Sequence, residues 1–86
     1  MKQKLKWWIL KIEDKTAPTP IQITFIKAYN FRQILWLFAK VTWYKDLSIL
    51  YCKEYDHNNG FHRKFMKRYK TNDRLRYTLN NLNKVI

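Results

Sequence analysis

Apolar and polar residues alternate in three segments of the chain, residues 4–14, 21–28 and 47–55, and this spacing predicts three β-strands. In residues 4–14 both alternating sets of positions carry apolar side chains, which indicates a strand covered on both faces. Pro18 and Pro20 follow it. Prolines remove backbone donors and restrict the preceding residue, so they predict a loop between the first two strands.

Two other segments have the apolar spacing of a helix. Asn30 is a favourable N-cap for the first helix, and its predicted core side consists of Phe31, Ile34, Leu35, Phe38 and Val41. Asn72 or Asp73 can cap a final helix, and its predicted core side consists of Leu75, Leu79, Leu82 and Ile86.

Residues 61–70 fit two structures equally well. Phe61, Phe65 and Tyr69 recur every fourth residue, which places them on one side of either a helix or a strand. The preceding Asn59-Gly60 pair is a strong hairpin signal and favours the strand, whereas the periodicity slightly favours the helix. The sequence therefore predicts a small single α+β domain over residues 1–86, with the order β-β-α-β-(β or α)-α, one antiparallel sheet and helices packed on one face.

The charge of the chain points to a polyanionic partner. Eighteen Lys and Arg residues oppose six Asp and Glu residues, giving a net charge of +12. A net charge of about 2–8 suffices to keep a small domain soluble, and a larger one repels itself in the compact state. We therefore expect a non-catalytic nucleic-acid-binding protein, with RNA favoured over DNA, such as a ribosomal or other ribonucleoprotein component.

The cations are densest over residues 61–76, which contain seven cations and one acid, Asp73. Cations bind phosphates and aromatic rings stack on bases, so their interleaving is typical of nucleic-acid surfaces. If the aromatic residues instead belong to the core, the cations would still line the opposite side. The predicted phosphate-binding residues are Arg63, Lys64, Lys67, Arg68, Lys70, Arg74 and Arg76.

The first predicted helix carries a second candidate surface. Trp36 and Trp43 fall on the side away from its predicted core, flanked by Arg32 and Lys40. Tryptophan and arginine are favoured at interfaces, so this side is a candidate contact for a protein, a nucleic acid or a second copy. Alternatively, another element of the same domain covers it.

Chemistry-bearing clusters are sparse. Cys52, Asp56, His57 and His62 are close in sequence, but their spacing is not that of a zinc finger or knuckle, and we expect no metal. Ser48 is the only serine, and the chain has one glycine. Without a glycine-rich phosphate loop or a nucleophile elbow, we expect neither an enzyme nor a bound cofactor.

The lone cysteine predicts an intracellular, reducing location, because secreted domains of this size usually carry several. No apolar run approaches the ~20 residues of a membrane span. Abundant Lys, Asn, Ile and Tyr with scarce Gly and Ala are typical of AT-rich genes of organelles, phages or plasmids. The alternative function is therefore a small phage- or plasmid-type protein that inhibits or modulates a host nucleoprotein through protein contacts.

Overall fold

The computed structural model describes residues 4–41 and 46–84, with side chains to residue 82. The predicted α+β class and the order of the predicted elements are confirmed. The strands and helices are β1 (Lys6–Asp14), β2 (Ile21–Ala28), α1 (Phe31–Phe38), β3 (Leu47–Glu54), α2 (Gly60–Arg68), β4 (Lys70–Thr71) and α3 (Asp73–Lys84). The strands form one sheet in the order β3-β1-β2-β4.

The sheet is mixed, whereas the sequence predicted a wholly antiparallel one. Strand β1 pairs antiparallel with both β2 and β3, but β4 pairs parallel with β2, aligning Lys70 with Gln22 and Thr71 with Ile23. Strands β2 and β3 both run opposite to β1 and therefore run in the same direction. Because β4 is parallel to β2, β3 and β4 also run in the same direction. Parallel strands need a crossover, usually a helix, and α2 is that crossover.

One face of the sheet, here called the α1/α3 face, carries the main core. Residues paired across antiparallel strands share a face, and the even-numbered residues of β1 and β2 lie on this one. Helices α1 and α3 cover it. Its buried cluster consists of Leu10, Ile12, Ile26, Ala28, Ile34, Leu37, Phe38, Val41, Leu47, Leu75 and Leu79.

The opposite face, here called the α2 face, is covered by α2. Ile9 and Ile23 of this face are fully buried, and Tyr51 of β3 packs edge-on against Phe65 of α2, with 5.1 Å between ring centroids. The expectation that all helices lie on one face is therefore wrong for α2. The reason is that β1 is apolar on both sides, so both faces of the sheet need cover.

Helix α1 begins as predicted, but its buried side is rotated. The Asn30 side chain accepts a hydrogen bond from the Gln33 amide at 2.9 Å, which confirms the cap. Ile34, Phe38 and Val41 are buried as expected, together with Leu37. The predicted core residues Phe31 and Leu35 are instead 45% and 42% exposed.

Asn72 joins α3 to the edge of the sheet. Its side-chain oxygen accepts from the Leu75 amide at 2.9 Å, which makes it the predicted N-cap, and its side-chain amide donates to Gln22 at 2.6 Å. Its backbone amide donates to the Ile23 carbonyl at 2.7 Å, and its carbonyl accepts from the Thr24 hydroxyl at 3.2 Å. One residue therefore fixes both the start of α3 and its position beside β2.

Replacing Asn72 with alanine should lower the free energy of unfolding by about 1–2 kcal/mol, because it removes a helix cap and a hydrogen bond to a buried glutamine. Urea unfolding followed by circular dichroism measures this loss. Asn58, in an exposed turn, provides the control, since Asn58→Ala should change stability by less than about 0.5 kcal/mol. Equal effects of the two substitutions would contradict the role given to Asn72.

Candidate nucleic-acid interface

The segment left open between strand and helix is the helix α2. Asn59 is its N-cap and accepts from the Phe61 amide at 2.9 Å. Gly60, its first residue, does not have the positive φ that the predicted hairpin turn requires. The side facing the sheet contains His62, Phe65 and Tyr69. Phe61, expected to share a side with Phe65 and Tyr69, is 67% exposed.

His62 holds α2 against β3. It is buried, and its Nε2 lies 3.2 Å from the Tyr51 hydroxyl. Its Nδ1 lies 3.0 Å from the Asp56 amide nitrogen and 3.1 Å from the Asp56 carbonyl oxygen. The ring also stacks on Tyr55, with 5.8 Å between centroids. Both ring nitrogens thus have partners, as a buried imidazole requires.

Lys11 of β1 inserts between the sheet and the end of α2. Its Nζ lies 4.7 Å from the ring centroid of Tyr69 and 5.7 Å from that of Phe65, distances at which a cation is attracted to an aromatic ring. A lysine is tolerated at this position of a central strand because the faces of the two rings and the Tyr69 hydroxyl interact favourably with its ammonium group.

Four cations of α2 form what we call the α2 stripe: Arg63, Lys64, Lys67 and Arg68. All four are exposed, on the side of the helix away from the sheet. Three of them, with Gly60, line a shallow depression of about 430 Å³. The helix contains no acidic residue, so no carboxylate within α2 neutralises the stripe.

The structure does not place all seven predicted cations together. Lys70 is exposed on β4 at the sheet edge. Arg74 and Arg76 are exposed on α3, which packs on the opposite face of the sheet from α2. Arg76 also forms a salt bridge with Asp73 at 3.3 Å. The stripe of four and the three remaining cations therefore belong to different surfaces that meet at the edge formed by β4.

The positive charge around the end of α2 changes the acidity of a neighbouring group. Lys11, which hydrogen-bonds the Tyr69 hydroxyl, lowers the pKa of Tyr69, and the charges of Lys11, Arg68 and Lys64 act in the same direction. A phenolate is favoured where cations converge.

The second predicted surface, on α1, is exposed. Arg32, Trp36 and Lys40 occur at four-residue spacing, and all three are exposed. Trp36 is 44% exposed, and the Lys40 Nζ lies 4.9 Å from the centroid of its ring. Trp43 lies outside the residues that the structure describes. Phe31 and Leu35 are also exposed, but they lie between Trp36 and the buried residues around the helix.

The candidate metal ligands Cys52 and His62 lie on opposite faces of the sheet. Cys52 pairs with Leu10 and packs against the core of the α1/α3 face, whereas His62 lies on the α2 face. Burial also raises the pKa of the Cys52 thiol to about 11, so the thiol is neutral at pH 7. Residues 4–41 and 46–84 contain no cluster of three or more metal-binding side chains.

Sequence reasoning missed the roles of Lys11 and His62. Lys11 was one of several cations near the start of the chain, and its aromatic partners are more than fifty residues away. The sequence offers His62 only as a candidate metal ligand. It follows a polar turn closely, and nothing in the sequence around it indicates that its side chain is buried.

Comparisons with models of protein families, with characterised proteins and with solved structures give no match to this chain. Among the described residues, no helix has both the length and the apolar character needed to cross a membrane.

Replacing His62 with alanine should lower the free energy of unfolding by about 2–4 kcal/mol, because it leaves a cavity and removes partners from Tyr51 and Asp56. The other histidine, His57, is exposed and provides the control; His57→Ala should cost less than about 0.5 kcal/mol. Urea unfolding measures both. A His62→Ala protein as stable as the His57→Ala protein would show that His62 does not hold α2 in place.

Proposed function

We propose that this protein binds nucleic acid without catalysing a reaction, that RNA is its favoured polymer, and that the α2 stripe is its principal phosphate contact. The observation that carries the proposal is the geometry of α2. Its inner side is held to the sheet by His62 and Phe65, and its outer side presents only uncharged and cationic residues. A fixed row of cations can contact several phosphates of one nucleic-acid backbone at once.

A structural role does not account for the whole stripe. Lys67 and Arg68 lie in the last turn of α2, where cations interact favourably with the helix dipole. Arg63 lies in the first turn of the same helix, where the dipole disfavours positive charge, and Lys64 lies at its centre, where the dipole has little effect. The dipole therefore accounts for neither of these two cations, and an anionic ligand that contacts Arg63 would offset its small cost.

Replacing Arg63, Lys64, Lys67 and Arg68 with glutamine should weaken RNA binding. It should also make the negative slope of log affinity against log salt concentration less steep by about 3, because each phosphate contact contributes about −0.7 to −0.9 to that slope. Fluorescence anisotropy of a labelled RNA at several salt concentrations measures both. The fold should survive, since surface charge changes usually alter stability by less than about 0.5 kcal/mol each.

The matched control removes four exposed cations elsewhere, with the same change in net charge: Lys6, Lys15, Arg32 and Lys40. These substitutions should leave most of the affinity and of the salt slope intact. Equal losses in the two variants would mean that the charge is used diffusely and that no site exists. Binding by the unmodified protein that does not depend on salt would contradict the polyanion proposal itself.

A second candidate function rests on the exposed side of α1. Phe31, Leu35 and Trp36 are each more than 40% exposed, and large exposed apolar side chains on one short helix are typical of protein-contact surfaces. This surface supports the alternative of a small phage- or plasmid-type protein that modulates a host nucleoprotein by binding protein. Flanking Arg32 and Lys40 would favour an acidic partner.

Affinity capture from cell extract before and after nuclease treatment separates the two functions. If the second function holds, one defined protein stays bound after nuclease, and Trp36→Ala abolishes its retention because a buried tryptophan contact is typically worth more than 2 kcal/mol. If nuclease removes all captured protein, the contacts were bridged by nucleic acid and the second function is excluded.

A further inference from the structure

Trp7 of β1 lies on the α2 face, at the end of the sheet where β1 begins and β2 ends. It pairs with Lys27 of β2, and the Lys27 Nζ lies 5.0 Å from the centroid of the Trp7 ring. The tryptophan is 44% exposed, although it belongs to a strand whose next residues on the same face, Ile9 and Lys11, are buried and half-buried. Helix α2 therefore covers only part of this face and leaves the Trp7 side chain partly exposed.

The surroundings of Trp7 are aromatic and basic. Phe25, on the same face, packs edge-on against Tyr55 at 5.4 Å between centroids, and Tyr55 in turn stacks on His62 of α2. Lys53, also on this face, is exposed. A continuous layer of rings therefore runs from the sheet beside Trp7 to the helix that carries the α2 stripe.

The carboxylates closest to Trp7 along the paired strands, Glu54 and Asp56, have partners of their own. Asp56 follows Tyr55, whose backbone amide donates to the Trp7 carbonyl at 2.8 Å, and its carboxylate accepts a hydrogen bond from the Asn58 amide at 2.9 Å. Glu13 is at the opposite end of β1, and Glu54 pairs with Trp8, so it belongs to the α1/α3 face, where it forms a salt bridge with Lys6 at 3.5 Å. An exposed tryptophan with the exposed cations Lys27 and Lys53 on its face suits a ligand that is both flat and anionic. An acidic peptide meets the charge requirement, whereas a nucleic acid supplies a flat ring with every anionic unit.

We propose that Trp7 is a stacking platform for an unpaired base, so that the nucleic acid bound by this protein is single-stranded over the segment that contacts the sheet. This inference rests on the proposed function, because the α2 stripe supplies the phosphate contacts on the same face. In a duplex the faces of the bases are covered by their neighbours, whereas a single strand can place a base on an aromatic ring. Lys27 and Lys53 then lie where they can contact the flanking phosphates.

The chain contains a matched control for this proposal. Trp36 is also 44% exposed and also has a lysine Nζ near its ring, at 4.9 Å, but it lies on α1, across the sheet from the α2 stripe. Replacing either tryptophan with alanine removes an equally exposed indole ring and its contact with one lysine. Only Trp7 lies on the face where the nucleic acid is proposed to bind.

The experiment compares binding of a short oligouridylate and of an RNA duplex of equal length by the unmodified protein, Trp7→Ala and Trp36→Ala. Trp7→Ala should weaken binding of the oligouridylate about 5- to 100-fold, the range expected for loss of one base stacked on an aromatic ring. The salt slope and the affinity for duplex should not change, because neither depends on stacking. Trp36→Ala should bind both polymers as the unmodified protein does.

A second measurement covers the case in which Trp7→Ala does not fold. Trp7→Phe keeps a ring, so it should retain most of the affinity while losing the quenching of tryptophan fluorescence that oligouridylate causes; Trp36→Phe should keep that quenching. Equal behaviour of the Trp7 and Trp36 variants would overturn the platform while leaving the proposed function intact. Absence of salt-dependent binding of either polymer by the unmodified protein would overturn the proposed function and the platform with it.

Discussion

The structure depends on a central strand that is apolar on both sides. In β1, Ile9 faces one way while Leu10 and Ile12 face the other, and all three are fully buried. Burying an aliphatic side chain of this size contributes about 1.5–3 kcal/mol, so exposing either face would remove much of the stability of a small domain. Both faces must be covered, and an 86-residue chain has few elements with which to do so.

This constraint explains how the helices are divided between the two faces. Helices α1 and α3 bury the larger apolar cluster on one face. The other face is covered by α2, which contacts the sheet mainly through aromatic rings and His62. Because His62 and the rings are enough to hold α2, its outer positions are free to carry cations. Trp7 remains exposed because α2 covers only part of this face.

Much of the fold follows from local pattern. The bounds predicted for β2 coincide with those observed, and Asn30 and Asn72 cap helices as their side-chain chemistry predicts. The phase of α1 could not be predicted, since Leu35 and Leu37 are equally apolar and only packing against the sheet decides which is buried.

The candidate site was less accessible from the sequence. The spacing of Phe61, Phe65 and Tyr69 fits helix and strand alike, and the choice between them depends on contacts of His62 with Tyr51 and Asp56 that local propensity does not encode. The cations of α2 were recognisable from their density. Their separation from Arg74 and Arg76 follows from α2 and α3 lying on opposite faces, which cannot be read without the topology of the sheet.

The proposed nucleic-acid surface is the α2 face of the sheet together with α2. Titration of the isotopically labelled protein with oligouridylate, followed by backbone amide chemical shifts, locates the bound strand. The largest shift changes should occur in α2 and around Trp7, Lys27 and Lys53, with α1 nearly unchanged. Shift changes concentrated around Arg32, Trp36 and Lys40 would contradict this proposal.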